Sequence, residues 1–231
     1  MHAWTSFLVA LALSVAPGAA LAEPVLLIAI DGLQPAAVLE AETRGIRIPN
    51  LRRFVREGSY ATGVVGVLPT VTYPSHATLV TGTSPARHGI IGNTTFDPMQ
   101  INQSGWYWYA SDVKVPTLWD VAARAGLSTA NVHWPTTVGA ASIRWNLPQY
   151  WRTGHADDRR LMKVLATPGL VDGLERDLGL TYAQGIDETI EGDENRGAFA
   201  VGLIARNKPQ FTTVYLTALD QLAVGPPEAV F

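Results

Sequence analysis

Residues 24–32, PVLLIAIDG, restrict the fold of this chain more than any other stretch. An unbroken apolar run that closes on Asp-Gly reads as a strand buried on both faces of a parallel sheet; a half-solvated strand would alternate polar and apolar residues. Residues 210–220, QFTTVYLTALD, repeat the pattern with β-branched residues and again end on an aspartate. Ligands of open α/β sheets gather at the carboxyl ends of the strands, which is where Asp31 and Asp220 are expected. A lone Asp-Gly is also an ordinary turn, so Asp31 acquires a functional reading only alongside another motif.

The intervening chain alternates in the way such a sheet requires. Residues 50–58 form a capped amphipathic helix, with Asn50 as N-cap, Leu51, Phe54 and Val55 on the apolar face and Gly58 as terminator. Arg52, Arg53 and Arg56 then make its solvated face. Residues 60–67 read as the next strand, leading into a loop and a further helix. Strand, helix, strand, loop and helix predict an α/β fold with a mostly parallel sheet. Residues 94–115 are loop-like, and Trp106, Tyr107, Trp108 and Tyr109 are placed to cover a hydrophobic edge or rim a pocket. Residues 117–125 resemble a helix begun by a Thr cap, residues 128–133 a strand, and residues 159–180 helix interrupted at Pro168-Gly169. Residues 187–206 open with acidic side chains that suit a helix N-terminus; they read as a packing helix without chemistry. At 47% hydrophobic and 16% charged residues the chain is globular, not disordered. A net charge of −3 leaves no footprint for nucleic acid and no basic membrane patch.

Residues 68–93, LPTVTYPSHATLVTGTSPARHGIIGN, carry the chemistry. Pro74 suits the first position of a helix over 74–81, because its missing N–H would have no acceptor there. Thr72 and Tyr73 then lie just ahead of a helix N-terminus, where free amides and the helix dipole favour an anion. A hydroxyl at that point can attack phosphorus or sulfur, although an ordinary Thr N-cap looks the same. Threonine is a poor nucleophile unless a base or a metal activates it. His76 falls inside the helix, where capping or packing is its expected role. A pair of divalent ions would stabilise the attacking and leaving oxygens and neutralise the phosphate.

Taken together, T-x-T-Y-P-S-H, Thr81-Gly82 and R-H-G-I-I-G-N resemble the nucleotide pyrophosphatase/phosphodiesterase branch of the alkaline phosphatase superfamily. The resemblance implies a three-layer α/β/α sandwich and a metal-dependent hydrolase of phosphodiester or pyrophosphate bonds in small, nucleotide-type substrates. It implies that Thr72 is the nucleophile and forms a phosphothreonine intermediate that water then hydrolyses. Asn93 would hold a phosphate oxygen, and Tyr73 would stack on a nucleobase. Asp31 would be the first metal ligand and Asp220 a ligand of the second metal, with zinc the implied ion at both sites. The family's further ligands are a His four residues after the second Asp, an Asp-His pair in a D-H-G segment and a later His. Position 224 is Val, and those segments are absent from the sequence. Asp31, Thr72 and Asp220 are therefore too few for two zinc sites of about four ligands each. The resemblance covers the front portion of an enzyme that looks truncated at the C-terminus. Two alternatives stay open: a non-catalytic remnant that binds phosphate at most, and a phosphomonoesterase of the same superfamily. His88, His133 and His155 could stand in only by an arrangement that the family does not use; His133 reads as structural and His155 as solvated.

Residues 1–22 read as a cleavable signal, with an apolar core over 7–15 and an A-x-A site at residues 20–22, against the rival of an uncleaved anchor. The hydrolase domain then spans residues 23–231. Export of a chain with no cysteine fits a secreted or periplasmic protein without disulfides.

Overall fold

A computed structural model describes residues 23–99, 105–150, 157–182 and 188–223. The expected signal at 1–22, His155 and the positions after 223 lie outside the described residues. Four strands, β1 (Val25–Ile30), β2 (Thr129–Val132), β3 (Trp145–Leu147) and β4 (Phe211–Leu216), form one sheet in the order β1-β4-β2-β3. All three pairings are parallel, with Ile30 opposite Leu216 and Val132 opposite Val214. β4 is central because its β-branched Thr212, Thr213 and Val214 are buried on both faces.

Helices cover both sides of the sheet, as the α/β/α expectation requires. The period-2 alternation of β4 decides which residue meets which layer. Val214 and Leu216 join Ala130, Val132 and Leu147 in a core closed by α6 (Asp158–Leu165), α7 (Leu170–Leu178) and α8 (Ile190–Asn207). Phe211 and Tyr215 point the other way, into a cluster with Trp119 of α5 (Leu118–Arg124), Val80 of α3 (Thr72–Thr81) and Trp134 just after β2. Phe199, Leu203 and Leu174 are fully buried between α7, α8 and the sheet, each contributing about 1.5–3 kcal/mol. A third cluster holds Tyr73, Ala77, Ile90, Trp108 and Val138, with Trp106 and Tyr107 packed against it. The aromatic run thus covers a hydrophobic edge.

Several boundaries differ from expectation. β1 is an edge strand and is not buried on both faces: Leu26 is 49% and Ile28 46% exposed, on the side where α8 packs over β4 instead. Residues 60–67 form no strand; Val65 is 99% exposed. The three-residue β3 was too short to register as a periodic pattern. α2 (Pro49–Glu57) starts one residue before Asn50, with Pro49 at N1 and Gly58 as C-cap. Its face is not buried, and it packs on α1 (Pro35–Leu39). Arg52 is not merely solvated: its guanidinium donates to the carbonyls of Val38 and Leu39 at 3.3 Å. α5 has the expected Thr cap, a full capping box in which Thr117 and Asp120 satisfy each other's backbone N–H. No described helix is long and apolar enough to cross a membrane.

Candidate active site

Three chain segments meet at the carboxyl rim of β1 and β4. Asp31 follows the last residue of β1, and its N–H donates to the Leu216 carbonyl at 2.9 Å, so parallel pairing fixes its position. Gly32 turns the chain in the left-handed region, φ +70°, and its amide donates to Asp31 Oδ1 at 3.2 Å. A Cβ built on Gly32 would lie 2.6 Å from Asp220 Cα and 2.7 Å from its N. The two aspartate segments are therefore in backbone contact. Asp220 does not end the strand: β4 stops at Leu216, and Asp220 lies in the first turn of α9 (Ala218–Ala223). Burial and then the Asp31 charge raise the Asp220 carboxyl above its ordinary pKa.

α3 starts at Thr72 itself, with Val71 as an extended N-cap that lacks a side-chain cap bond. Pro74 is thus the third helical residue and not the first, and Thr72 is inside the helix, not ahead of it. A Pro within the first turn costs no intrahelical bond, so the sequence does not distinguish these registers. The Thr72 hydroxyl donates to Asp31 Oδ2 at 3.4 Å, and the same oxygen accepts from the Tyr215 hydroxyl. The Tyr73 amide donates to Asn93 Oδ1 at 2.9 Å, which turns the Asn93 NH2 into the donor end of that side chain.

Tyr73 is 1% exposed; its hydroxyl donates to Gln149 Oε1 at 2.9 Å and its ring meets Trp106 and Trp108 edge-on. The ring is core packing and is not presented at a surface. His76 is buried between the rings of Tyr215 and Trp134, with centroids at 4.4 and 4.9 Å. Its Nδ1 lies 2.8 Å from the Thr72 carbonyl, which assigns the proton to Nδ1, and Nε2 is buried without a partner. Burial lowers its pKa against smaller opposing effects of that carbonyl and of Asp31. It braces the helix start and does not reach the Thr72 hydroxyl. His88 is bonded by Thr78 and Ile90, and His133, its pKa lowered by burial and then by the Arg196 charge, faces Arg196 Nη1 at 3.4 Å.

Two residues at this rim escaped sequence reasoning. Tyr215 is the last inward side chain of β4 on the α3 face, opposite Ala29, and period-2 counting back from the rim would have found it. Burial raises its hydroxyl pKa, and the Asp31 charge raises it further. Glu188 accepts from Gln221 Nε2 at 2.7 Å. Its carboxyl is raised by burial and by Asp220, Asp31 and Asp193, against the lowering effect of Arg196. It looked like one more acid in a helix-start run, and no local pattern separates it from the others.

The donor set is chemically suited to a divalent cation: two carboxylates and a hydroxyl, with Asp31 close enough for its charge to raise the Asp220 carboxyl. It is incomplete in number, since among the described residues no group of three or more His, Cys, Asp or Glu is gathered to hold a metal.

A family model for type I phosphodiesterase/nucleotide pyrophosphatase matches residues 25–223. The chain belongs to this family. It is 28% identical over 137 residues to ectonucleotide pyrophosphatase/phosphodiesterase family member 3 of Rattus norvegicus, covering 56% of this chain and 15% of that protein. It is 26% identical over 178 residues to the venom phosphodiesterase of Naja atra, covering 72% and 20%. Among solved structures, phosphonoacetate hydrolase of Sinorhizobium meliloti superposes with TM-score 0.56 at 23% identity, covering 90% of this chain and 50% of that one. Murine ectonucleotide pyrophosphatase/phosphodiesterase 5, an inactive Thr-to-Ala variant in complex with AMP, gives 0.57 at 18%, covering 90% and 48%. The alkaline-phosphatase-like α/β fold is thereby shared. The chain spans about half the length of these solved neighbours and a fifth or less of the two curated relatives.

Proposed function

We propose that this chain carries the nucleophile half of a phosphodiester- or pyrophosphate-hydrolysing centre with Thr72 as its nucleophile. The observation that carries the proposal is the Thr72 hydroxyl at the first turn of α3, held 3.4 Å from Asp31 Oδ2 beside Asn93. The hydroxyl oxygen attacks phosphorus, the bond to the leaving alcohol or phosphate breaks, and the phosphothreonine formed is hydrolysed by water. Asp31 Oδ2 takes the hydrogen bond of the attacking hydroxyl, and Tyr215 fixes that carboxylate from the opposite side. The NH2 of Asn93 and the Thr72 amide are the donors for phosphate oxygens, since the Tyr73 amide is held by Asn93, Pro74 has no N–H and the Ser75 amide donates to the Val71 carbonyl. Divalent ions, zinc by family resemblance, would be held by Asp31, Thr72 and Asp220 and would supply charge neutralisation at phosphate and nucleophile. Nucleotide-type substrates are favoured by the family and by the AMP bound to the mouse neighbour. Secretion to the cell exterior or periplasm is favoured by residues 1–22.

The test is hydrolysis of a diester, bis-p-nitrophenyl phosphate, against the monoester p-nitrophenyl phosphate with added Zn2+. Diester turnover that Thr72→Ala abolishes while thermal unfolding is unchanged supports the proposal. Turnover retained in Thr72→Ala overturns the nucleophile, and preference for the monoester overturns the substrate class. No turnover by the unmodified chain overturns hydrolysis and leaves the phosphate-binding remnant.

A further inference from the structure

Among the described residues, no side chain of its own segment hydrogen-bonds to Asp220. The turn from β4 into α9 spans only Thr217, and a helix start leaves its first amides without intrahelical acceptors. A carboxylate from another element supplies them. Asp193, in the first turn of α8, accepts the Thr217 amide on Oδ1 and the Ala218 amide on Oδ2, both at 2.9 Å. The same Oδ1 accepts from Arg196 Nε at 3.0 Å and from Nη2, and Nη2 also donates to Thr217 Oγ1 at 2.6 Å. Arg196 is 0% exposed, so the pair is fixed by packing as well as by charge. The Asp220 amide in turn donates to the Thr217 carbonyl at 3.2 Å. The backbone of Asp220 is thus located from α8 on one side and by contact with Gly32 on the other.

We infer that Asp193, held by Arg196, is a positioning residue that sets the place of Asp220 at the rim, a role beyond packing for α8. The inference rests on the proposal that Asp220 is a metal ligand, and its test separates the two. Amide hydrogen exchange and the affinity for Mn2+ alone, followed by its electron paramagnetic resonance signal, are measured on the full chain, Asp193→Asn, Asp220→Asn and the double variant. In the unmodified chain the Thr217 and Ala218 amides are expected to be protected; exchange at unprotected rates overturns the clamp whether or not any variant folds. In Asp193→Asn these two amides and that of Asp220 should exchange about tenfold faster or more, with the β4 amides of Thr212–Val214 unchanged. Mn2+ affinity should fall about 10–100-fold, the usual loss when an outer-shell partner of a ligand is removed. The double variant should lose little beyond Asp220→Asn, because both changes act through one group. Unchanged affinity, or fully additive losses, overturns the positioning role. If Asp220→Asn itself leaves Mn2+ binding unchanged, the ligand role of Asp220 fails. Positioning is then decided by exchange, and it stands only if the Asp220 amide speeds up together with Thr217 and Ala218.

Discussion

Gly32→Ala isolates the contact that joins the two aspartate segments. Two separable costs follow from the structure. At φ +70° an alanine pays for the left-handed region, about 1–2 kcal/mol. Its Cβ would also lie 2.6 and 2.7 Å from backbone atoms of Asp220, which cannot swing aside like the end of a flexible side chain. Relieving such overpacking costs about 1–3 kcal/mol, for a total of about 2–5 kcal/mol. Gly45 is the internal control: its φ is +69°, but a Cβ there meets nothing within 4 Å. Gly45→Ala should pay only the first cost. Urea unfolding of both variants, analysed with a common slope, should therefore place Gly32→Ala about 1–3 kcal/mol below Gly45→Ala. Equal destabilisation would refute the close approach of residues 32 and 220, and with it the geometry that brings Asp31 and Asp220 to one site.

Tyr73→Phe should cost about 1–2 kcal/mol in urea, because the buried Gln149 Oε1 loses its donor. Unchanged stability would show that the Tyr73–Gln149 hydrogen bond does not hold the ring in the core. Stability should also fall as pH drops below about 6.5. His76 and His133 have folded pKa values below the ordinary one, so the unfolded chain binds more protons and loss sets in as pH falls through the unfolded value. Each such group contributes a slope of at most about 1.4 kcal/mol per pH unit. Glu188, raised when folded, acts in the opposite sense, so the informative quantity is the difference in slope between the wild type and His133→Gln. Denaturation at pH 7.5, 6.5 and 5.5 should show the smaller slope in the variant, and an equal slope would place the His133 titration elsewhere.

What the sequence disclosed followed the range of the interaction that sets each feature. Runs closing on Asp31 and near Asp220 are local hydrophobic patterns, and the Thr117 cap and the Pro168-Gly169 break are local backbone chemistry; all were legible. The exposure of β1 was not, because an apolar run is the same string whether a helix covers it or not. The absent strand at 60–67 shows the same limit from the other side, since its valines carry the propensity without finding a partner. At the candidate site, the motif singled out Thr72 and Asn93, which the fold brings to one helix start, but it misplaced that start by two residues. Tyr215, Glu188 and Asp193 reach the rim through tertiary contacts spanning β1, β4, α8 and α9, which no window of sequence contains.

Charge at the rim bears directly on how a phosphate could be held there. Asp31, Asp220 and Glu188 share the neighbourhood closely enough for Asp31 to raise the other two. The buried cation of that region, Arg196, is already engaged by Asp193. A phosphate arriving at the first turn of α3 gains from the Thr72 amide and the helix dipole but meets the Asp31 carboxylate bonded to Thr72, with the Asp220 and Glu188 carboxyls near it. Helix-end stabilisation is about 0.3–1 kcal/mol where exposed, too little to outweigh like-charge repulsion from adjacent carboxylates in a partly buried site. Phosphate binding by this chain should therefore require an added divalent ion. Isothermal titration with inorganic phosphate should give no measurable binding in the presence of a chelator and binding after Zn2+ is supplied. Asp31→Asn should weaken the zinc-dependent binding while easing the metal-free repulsion. Binding that is equally strong with and without chelator would show that the helix start and Asn93 suffice, and the carboxylates would then have no part in anion recognition.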